Sequence, residues 1–331
     1  MVKTAVIGCG AWGTTLAKIL AENGHEVCVW CHDTAIAAQI NARENKKLLA
    51  GIALPQNIRG TTTLSTALDG ARLAVIVTAS QYFRQTAVQL KQYLARDCLL
   101  LSATKGLDET TGRRMSEVLG ETLPAQRQNI AVLSGPNISR EIAEQKVSAA
   151  VIASGTKATA EAIQKLFNNH YFRVYTNDDV IGVEIGGTVK NIIAIAAGIA
   201  DGLGLGNNAK AALLVRGMVE IARLAVTLGG RAETIFGLTG MGDLITTCSS
   251  SLSRNHSVGV ELAKGRTLAD ILGNMPAVAE GVPTTKLAHA LAQKTGTPMP
   301  ITAQMYAILY ENKPVPAAVQ DLMSRALKPE Y

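Results

Sequence analysis

Up to about residue 176, apolar residues arrive in short, nearly unbroken runs divided by segments of helical spacing. Residues 2–7 (VKTAVI) form a β-rich run that stops at a glycine, and residues 12–23 carry helical periodicity closed by Gly24. Residues 26–31 (EVCVWC) read as a second strand. Further buried strands are expected at 72–78, 98–102 and 129–134, with two more at 148–153 and 172–175 flanking a helix over 158–168. Apolar strands alternating with helices predict a parallel, doubly wound sheet. Strand signals cease near Thr176. From Val180 onward the spacing is helical, broken at Gly202-Leu203-Gly204, Gly229-Gly230, Gly240 to Gly242 and Thr297-Pro298. The pattern predicts an α/β fold in which a mostly parallel sheet over 1–180 precedes an all-helical domain over 181–331, with no internal repeat and no low-complexity linker.

A length of 331 residues suits two domains, and an apolar fraction of 47% against 18% charged residues argues against extensive disorder. The longest charge-free apolar stretch, around Ile192 to Ala200, falls short of the roughly 20 residues of a membrane span. Only a few residues precede the first glycine cluster, too few for an export leader, so a soluble, cytoplasmic chain is expected. Five scattered cysteines fit reduced core thiols. Cys28 and Cys31 form a C-x-x-C, but strand alternation sends their side chains to opposite faces, and no second pair completes a metal site. No metal is expected. The net charge of +6 favours anionic partners. The basic residues are dispersed and aromatics make up 4%, so phosphorylated small molecules explain the charge better than nucleic acid.

Gly8-Cys9-Gly10-Ala11-Trp12-Gly13 matches G-x-G-x-x-G after a strand and at the opening of a helix. In that setting the first glycine makes the tight turn and the second lets a pyrophosphate approach the backbone. The third permits close helix–strand packing, while the helix N-terminus holds the negative charge. The first domain is therefore expected to be a Rossmann-like dinucleotide-binding domain. The acidic residue that usually ends the second strand and bonds the ribose 2′-hydroxyl is absent. Cys31 and His32 occupy its place, and Asp33 comes too late. A 2′-phosphate meets no repelling carboxylate, so NADP(H) is expected to be preferred and NAD(H) usable.

Lys190 lies within the apolar helical stretch 185–199, with Gly186, Gly187, Ile193 and Ala194 on its own face. The glycines leave room for another backbone or a small molecule close to the ammonium. A buried lysine titrates readily and is a candidate proton donor or acceptor. The competing reading is a lysine whose stem follows the helix while its head reaches solvent.

Further motifs follow in order: Ala103-Thr104-Lys105-Gly106-Leu107, Ser134-Gly135-Pro136, Gly187-Thr188-Val189-Lys190-Asn191, Gly242-Asp243-Leu244, Ser253-Arg254-Asn255, Glu280-Gly281 and Met299-Pro300-Ile301-Thr302. With the glycine turn, they make the chain resemble, over essentially its whole length, the NAD(P)-dependent sn-glycerol-3-phosphate dehydrogenases of bacteria. The resemblance implies reversible reduction of dihydroxyacetone phosphate to sn-glycerol 3-phosphate, feeding glycerophospholipid synthesis, in a homodimer. It implies that Lys190 is the general acid/base, that Lys105 is a second lysine contacting substrate, and that Asp243 orients Lys190 and bonds a substrate hydroxyl. A second ammonium nearby would lower the pKa of Lys190 and the Asp243 charge would raise it. Arg254, with Ser253 and Asn255, fits the family's phosphate clamp, since a guanidinium holds phosphate oxygens bidentately. Gly135, Asn137, Asn191 and Thr247 are implied substrate contacts. Gly8, Gly10, Ala11, Trp12, Gly13, His32, Lys105, Ser139, Arg254, Val278 and Glu280 are implied cofactor contacts. Two places depart from the commonest family pattern. Asn137-Ile138-Ser139 stands where many relatives carry threonine or serine followed by alanine, and Ala11 replaces a frequent serine.

Three other readings compete on the residues alone: a dehydrogenase of the same plan acting on a hydroxy acid or imine, a catalytically silent nucleotide sensor, and a basic nucleic-acid binder. A sensor would need the glycine turn but not Lys105, Lys190 and Asp243 together, and the dispersed charge disfavours the last.

Overall fold

Residues 1–250, 253–275, 278–327 and 329–330 are described by the structure, a computed structural model. Among them, eight strands form one sheet: β1 (Lys3–Ile7), β2 (Glu26–Trp30), β3 (Ile58–Thr61), β4 (Leu73–Ile76), β5 (Leu99–Ser102), β6 (Ile130–Ser134), β7 (Ser148–Ala153) and β8 (Phe172–Asn177). Their order is β3-β2-β1-β4-β5-β6-β7-β8. β1 sits inside, pairing in parallel with β2 through Ile7 and Trp30 and with β4 through Ile7 and Ile76. Strand alternation divides the apolar side chains between two cores. Val6, Val29, Val75 and Leu101 pack on one face with Leu16 and Leu20 of the helix Ala11–Glu22. Ala5, Ile7, Ile76 and Leu100 pack on the other with Phe83 and Val118. Each large aliphatic or aromatic side chain so buried stabilises the fold by about 1.5–3 kcal/mol. This is the doubly wound α/β architecture that the hydrophobic pattern predicts.

Two details differ from the expected pattern. Strand β3 is absent from it, because Ile58-Arg59-Gly60-Thr61 has one apolar side chain and contains a glycine. This edge strand is held by pairing with β2 alone, and Gly60 lets the backbone at Ala37 approach, since a Cβ there would lie 2.6 Å from the Ala37 carbonyl oxygen. The second difference is that β7 runs antiparallel to β6. Their connection holds only the five-residue helix Ser139–Ala143, too short to carry the chain back along a strand for parallel re-entry. Parallel pairing resumes at β8, beyond the longer helix Lys157–Phe167.

The chain divides into two units, Met1–Glu184 and Ile185–Tyr331, the division falling within the helix Val180–Gly202. Beyond β8 the described residues hold helices and turns only, including Gly206–Thr227, Arg254–Ala263, Gly281–Thr295 and Pro300–Tyr310. Val180–Gly202 is long and apolar enough to cross a membrane, but 83% of its most apolar window is buried inside the fold. It packs against Arg254–Ala263 at backbone contact. A Cβ on Gly198 would lie 2.0 Å from the His256 carbonyl oxygen, and one on Gly259 2.0 Å from that of Ile195.

Glu220, 2% exposed on Gly206–Thr227, holds the start of the helix Pro300–Tyr310. Its carboxylate accepts from the backbone N–H of Ile301 (2.6 Å) and Thr302 (3.1 Å) and from the Thr302 hydroxyl (3.2 Å). Burial nevertheless pushes the Glu220 carboxyl up to about 7, against those hydrogen bonds and Arg223. Because the folded value lies above the unfolded 4.5, the folded state retains a proton that the unfolded chain releases. Stability therefore falls as pH rises from about 4.5 to 7, by on the order of 3 kcal/mol. Thermal melts across that window should show the decline, and Glu220→Gln should flatten it; an unchanged slope in the variant would exclude Glu220 as its source.

Candidate active site

The glycine turn follows β1 where the strand order reverses, with β2 on one side and β4 on the other. In open doubly wound sheets this switch point, at the carboxyl ends of the strands, is where ligands bind. Gly8 has φ +126°, and a Cβ there would lie 2.8 Å from the Val77 carbonyl oxygen. A Cβ on Gly13 would lie 2.0 Å from the Gly8 carbonyl oxygen. At Gly10, by contrast, nothing lies within 4 Å of where a Cβ would project. No side chain caps the N-terminus of the helix Ala11–Glu22 that this turn opens. A dipole-bearing helix start with an open approach at Gly10 fits a dinucleotide pyrophosphate.

Buried Asn45 fixes the turn, donating to the Cys9 carbonyl oxygen (3.2 Å) and the Thr14 hydroxyl (2.9 Å). Sequence reasoning missed it, since Asn45 belongs to no motif and lies 36 residues from Cys9. Cys31 is fully buried on the same core as Cys9, whereas Cys28 belongs to the opposite one, and all five cysteines are free. Its hydrogen bond with Cys9, followed by burial, pushes the Cys31 thiol far up. Beyond β2, His32 is exposed. Asp33 caps the helix Thr34–Asn41, its Oδ1 accepting from Ala35 N at 2.7 Å.

The neighbouring strand ends carry polar atoms with unmet hydrogen-bonding capacity. Among the described residues the buried Thr78, Ser102 and Ser134 hydroxyl oxygens and Asn137 Oδ1 have no hydrogen-bond partner. Buried polar atoms are ordinarily satisfied, and four of the six unsatisfied ones among the described residues group at or just beyond the ends of β4, β5 and β6, which supports a ligand-facing edge there. Lys105, half-buried after β5, donates to the Gly135 carbonyl oxygen at 3.4 Å. Asn137 turns its amide toward β7, donating to Ala149 O (3.0 Å) and Ser148 Oγ (3.3 Å). The Ser139 carbonyl accepts from Thr15 of the helix Ala11–Glu22 at 3.1 Å, bringing Ser139 beside the helix that carries Trp12.

In the second unit Lys190 is buried, 4% exposed. Its Nζ lies 2.9 Å from Asp243 Oδ1 and donates to the Thr247 hydroxyl, which in turn donates to Asp243 Oδ1 at 3.2 Å. Asp243 and Thr247 open the helix Asp243–Ser249 at i and i+4, so both face Lys190 from one side. A wide π turn, Leu238–Gly242, leads into this helix, and such turns recur at functional sites. Gly186 makes room for that turn: a Cβ on it would lie 3.1 Å from Thr239 O and 3.3 Å from Gly240 Cα. Of the two occupants the glycines beside Lys190 could admit, Gly186 therefore admits backbone. Burial pushes the adjacent Cys248 thiol up to about 12, so no thiolate competes for the lysine charge.

Asn191 Oδ1 accepts from Asn255 Nδ2 at 2.9 Å, and Asn255 Oδ1 accepts from Gly281 N at 2.9 Å. These bonds join the helices Val180–Gly202, Arg254–Ala263 and Gly281–Thr295 beside Lys190. Ser253 caps the second of them, its Oγ accepting from His256 N. Arg254, exposed at the first position, adds a guanidinium to the positive helix end, an arrangement suited to a phosphate. The Glu280 carboxylate acts on Arg254 electrostatically, and Val278, two residues before it, is 39% exposed. The first unit thus carries a dinucleotide cradle, and the second carries a buried lysine–carboxylate–hydroxyl triangle with an arginine at a helix start.

Known proteins are similar to this chain along nearly its whole length. Two family models match, described as NAD-dependent glycerol-3-phosphate dehydrogenase N-terminus over residues 3–160 and C-terminus over residues 179–320. A Geobacter protein (strain M21) named glycerol-3-phosphate dehydrogenase (NAD(P)+) is 47% identical over 99% of this chain and 98% of its own. One of the same name from Bacillus anthracis is 46% identical over 100% and 98%. The crystal structure of glycerol-3-phosphate dehydrogenase from Coxiella burnetii superposes with a TM-score of 0.93 at 36% identity, covering 98% of this chain and 99% of that one.

Proposed function

The chain belongs to the NAD-dependent glycerol-3-phosphate dehydrogenase family, and from that premise we propose that it reduces dihydroxyacetone phosphate reversibly to sn-glycerol 3-phosphate with Lys190 as general acid and base. It is an NAD(P)-dependent oxidoreductase. The observation that carries the catalytic assignment is the buried triangle of Lys190, Asp243 and Thr247. A bound reduced nicotinamide supplies the hydride that C2 of the ketone accepts. As C2 is reduced its oxygen gains negative charge, and Lys190 Nζ passes a proton to that oxygen, completing the alcohol. In the reverse direction the Lys190 amine takes the hydroxyl proton. Asp243 and Thr247 hold Nζ in place, and Asp243 bonds a substrate hydroxyl. Arg254, Ser253 and Asn255 clamp the phosphate; Lys105, Gly135, Asn137, Asn191 and Thr247 complete the substrate contacts.

Residues 1–180 form the dinucleotide-binding domain and 181–331 the substrate domain. Gly8, Gly10, Ala11, Trp12, Gly13, His32, Lys105 and Ser139 hold the cofactor, joined by Arg254, Val278 and Glu280. NADP(H) is preferred over NAD(H): Cys31 is buried, His32 is exposed and Asp33 is engaged as a helix cap, which supports room for a 2′-phosphate. The protein acts as a cytoplasmic homodimer, and its product supplies glycerophospholipid synthesis.

Near-ultraviolet absorbance of the reduced nicotinamide, followed with dihydroxyacetone phosphate and either NADPH or NADH, tests the reading. Rapid oxidation is expected with both and faster with NADPH. No oxidation despite tight cofactor binding would sink the assigned substrate, and a faster NADH reaction would sink the preference. Arg254→Ala should raise KM by about 10- to 100-fold through loss of a charged hydrogen bond, with kcat less affected. An unchanged KM would remove Arg254 from the phosphate clamp.

A further inference from the structure

We propose that the helical unit carries a second ligand site, apart from the lysine triangle, for an amphipathic anion: an aliphatic chain ending in one carboxylate or phosphate group. A cavity of about 540 Å³ lies among the helices Val180–Gly202, Gly206–Thr227, Pro300–Tyr310 and Val315–Met323. That volume is within the range of small-molecule sites, which are mostly apolar with a few polar groups fixing orientation. Its walls include Ile199, Leu213, Met305, Ile308 and Leu322, and none of the described lining residues is aromatic. Such walls offer no ring to stack on and suit a flexible aliphatic chain, to which methionine adapts readily.

The cationic groups are arranged to hold the other end of that ligand. Arg216, Glu220 and Arg223 follow one another at i, i+4 and i+7, so one face of Gly206–Thr227 presents all three to the cavity. Glu220 is already engaged by the start of Pro300–Tyr310. Arg223 acts on Glu220 electrostatically, whereas Arg216 has no hydrogen-bond or salt-bridge partner among the described residues. Arg325 and Glu330 complete the charged lining among the described residues, which there comprises three cations and two carboxylates. A cation-rich edge on an aliphatic hollow selects a chain with an anionic head over a neutral or cationic one.

Calorimetric titration of the full chain with decanoate, decyl phosphate, decyltrimethylammonium and inorganic phosphate tests this, each amphiphile kept below its micelle concentration. Decanoate or decyl phosphate should bind one per chain, and the tighter of the two identifies the head group. The cationic amphiphile and inorganic phosphate should bind at least about tenfold more weakly. Ala212→Trp places an indole in the cavity from an exposed helical position and should weaken anion binding at least about tenfold without lowering the melting temperature. Arg216→Glu should do the same. Equal binding of the cationic amphiphile, or unchanged affinity in Ala212→Trp, would overturn the proposal. So would a change of oligomeric mass in Ala212→Trp with no anion binding to the parent chain, because a second copy would then be the occupant.

Discussion

Lys190→Ala is expected to bind NADPH as tightly as the parent protein and to turn over about 10²- to 10⁴-fold more slowly, the usual contribution of a positioned acid or base. The substitution also leaves Asp243 buried without its cation, and an uncompensated buried charge destabilises a fold strongly. Lys190→Gln separates the two effects. Its amide still donates to Asp243 or Thr247 but cannot relay a proton, so it should melt near the parent temperature and remain as slow as the alanine variant. Near-parental turnover in either folded variant would refute the acid/base role.

The second large effect concerns two glycines three residues apart. Gly13→Ala is expected to destabilise the first unit by on the order of 3 kcal/mol, because its methyl group would sit 2.0 Å from the Gly8 carbonyl oxygen and 2.9 Å from Val77 Cγ1. Gly10→Ala is expected to melt normally: its φ of −64° suits any residue and nothing lies within 4 Å of the new Cβ. That methyl group instead enters the space assigned to the pyrophosphate and should weaken cofactor binding at least about tenfold. Thermal melting and cofactor titration on both variants measure the two effects separately. Normal cofactor affinity in Gly10→Ala would place the pyrophosphate elsewhere.

Much of this was legible because it rests on local chemistry. The glycine turn announces itself by spacing, and seven of the eight strands by short, largely apolar runs. Asp243 and Thr247 share a helix face at i and i+4, but their meeting with Lys190, more than fifty residues earlier in the chain, depends on how helices pack. Asn45 and the Cys9–Cys31 contact were hidden for the same reason. Strand β3 escaped because an edge strand held on one side needs little apolar character, and the β6–β7 reversal because connection length, rather than strand composition, sets direction.

The contact of Gly198 with the Arg254–Ala263 helix, and of Gly259 with Val180–Gly202, has a consequence for redesign. A variant library aimed at other polyol phosphates should keep Arg254, the proposed phosphate clamp, and leave the glycine framework untouched. Randomising Gly198, Gly259 or Gly281 would mostly yield chains that do not fold, since even one methyl group there meets backbone at 2.0 to 2.7 Å. The lysine's address is thus written in residues that have no side chain, and substrate range is free to diversify while the frame carrying the proton donor stays constant.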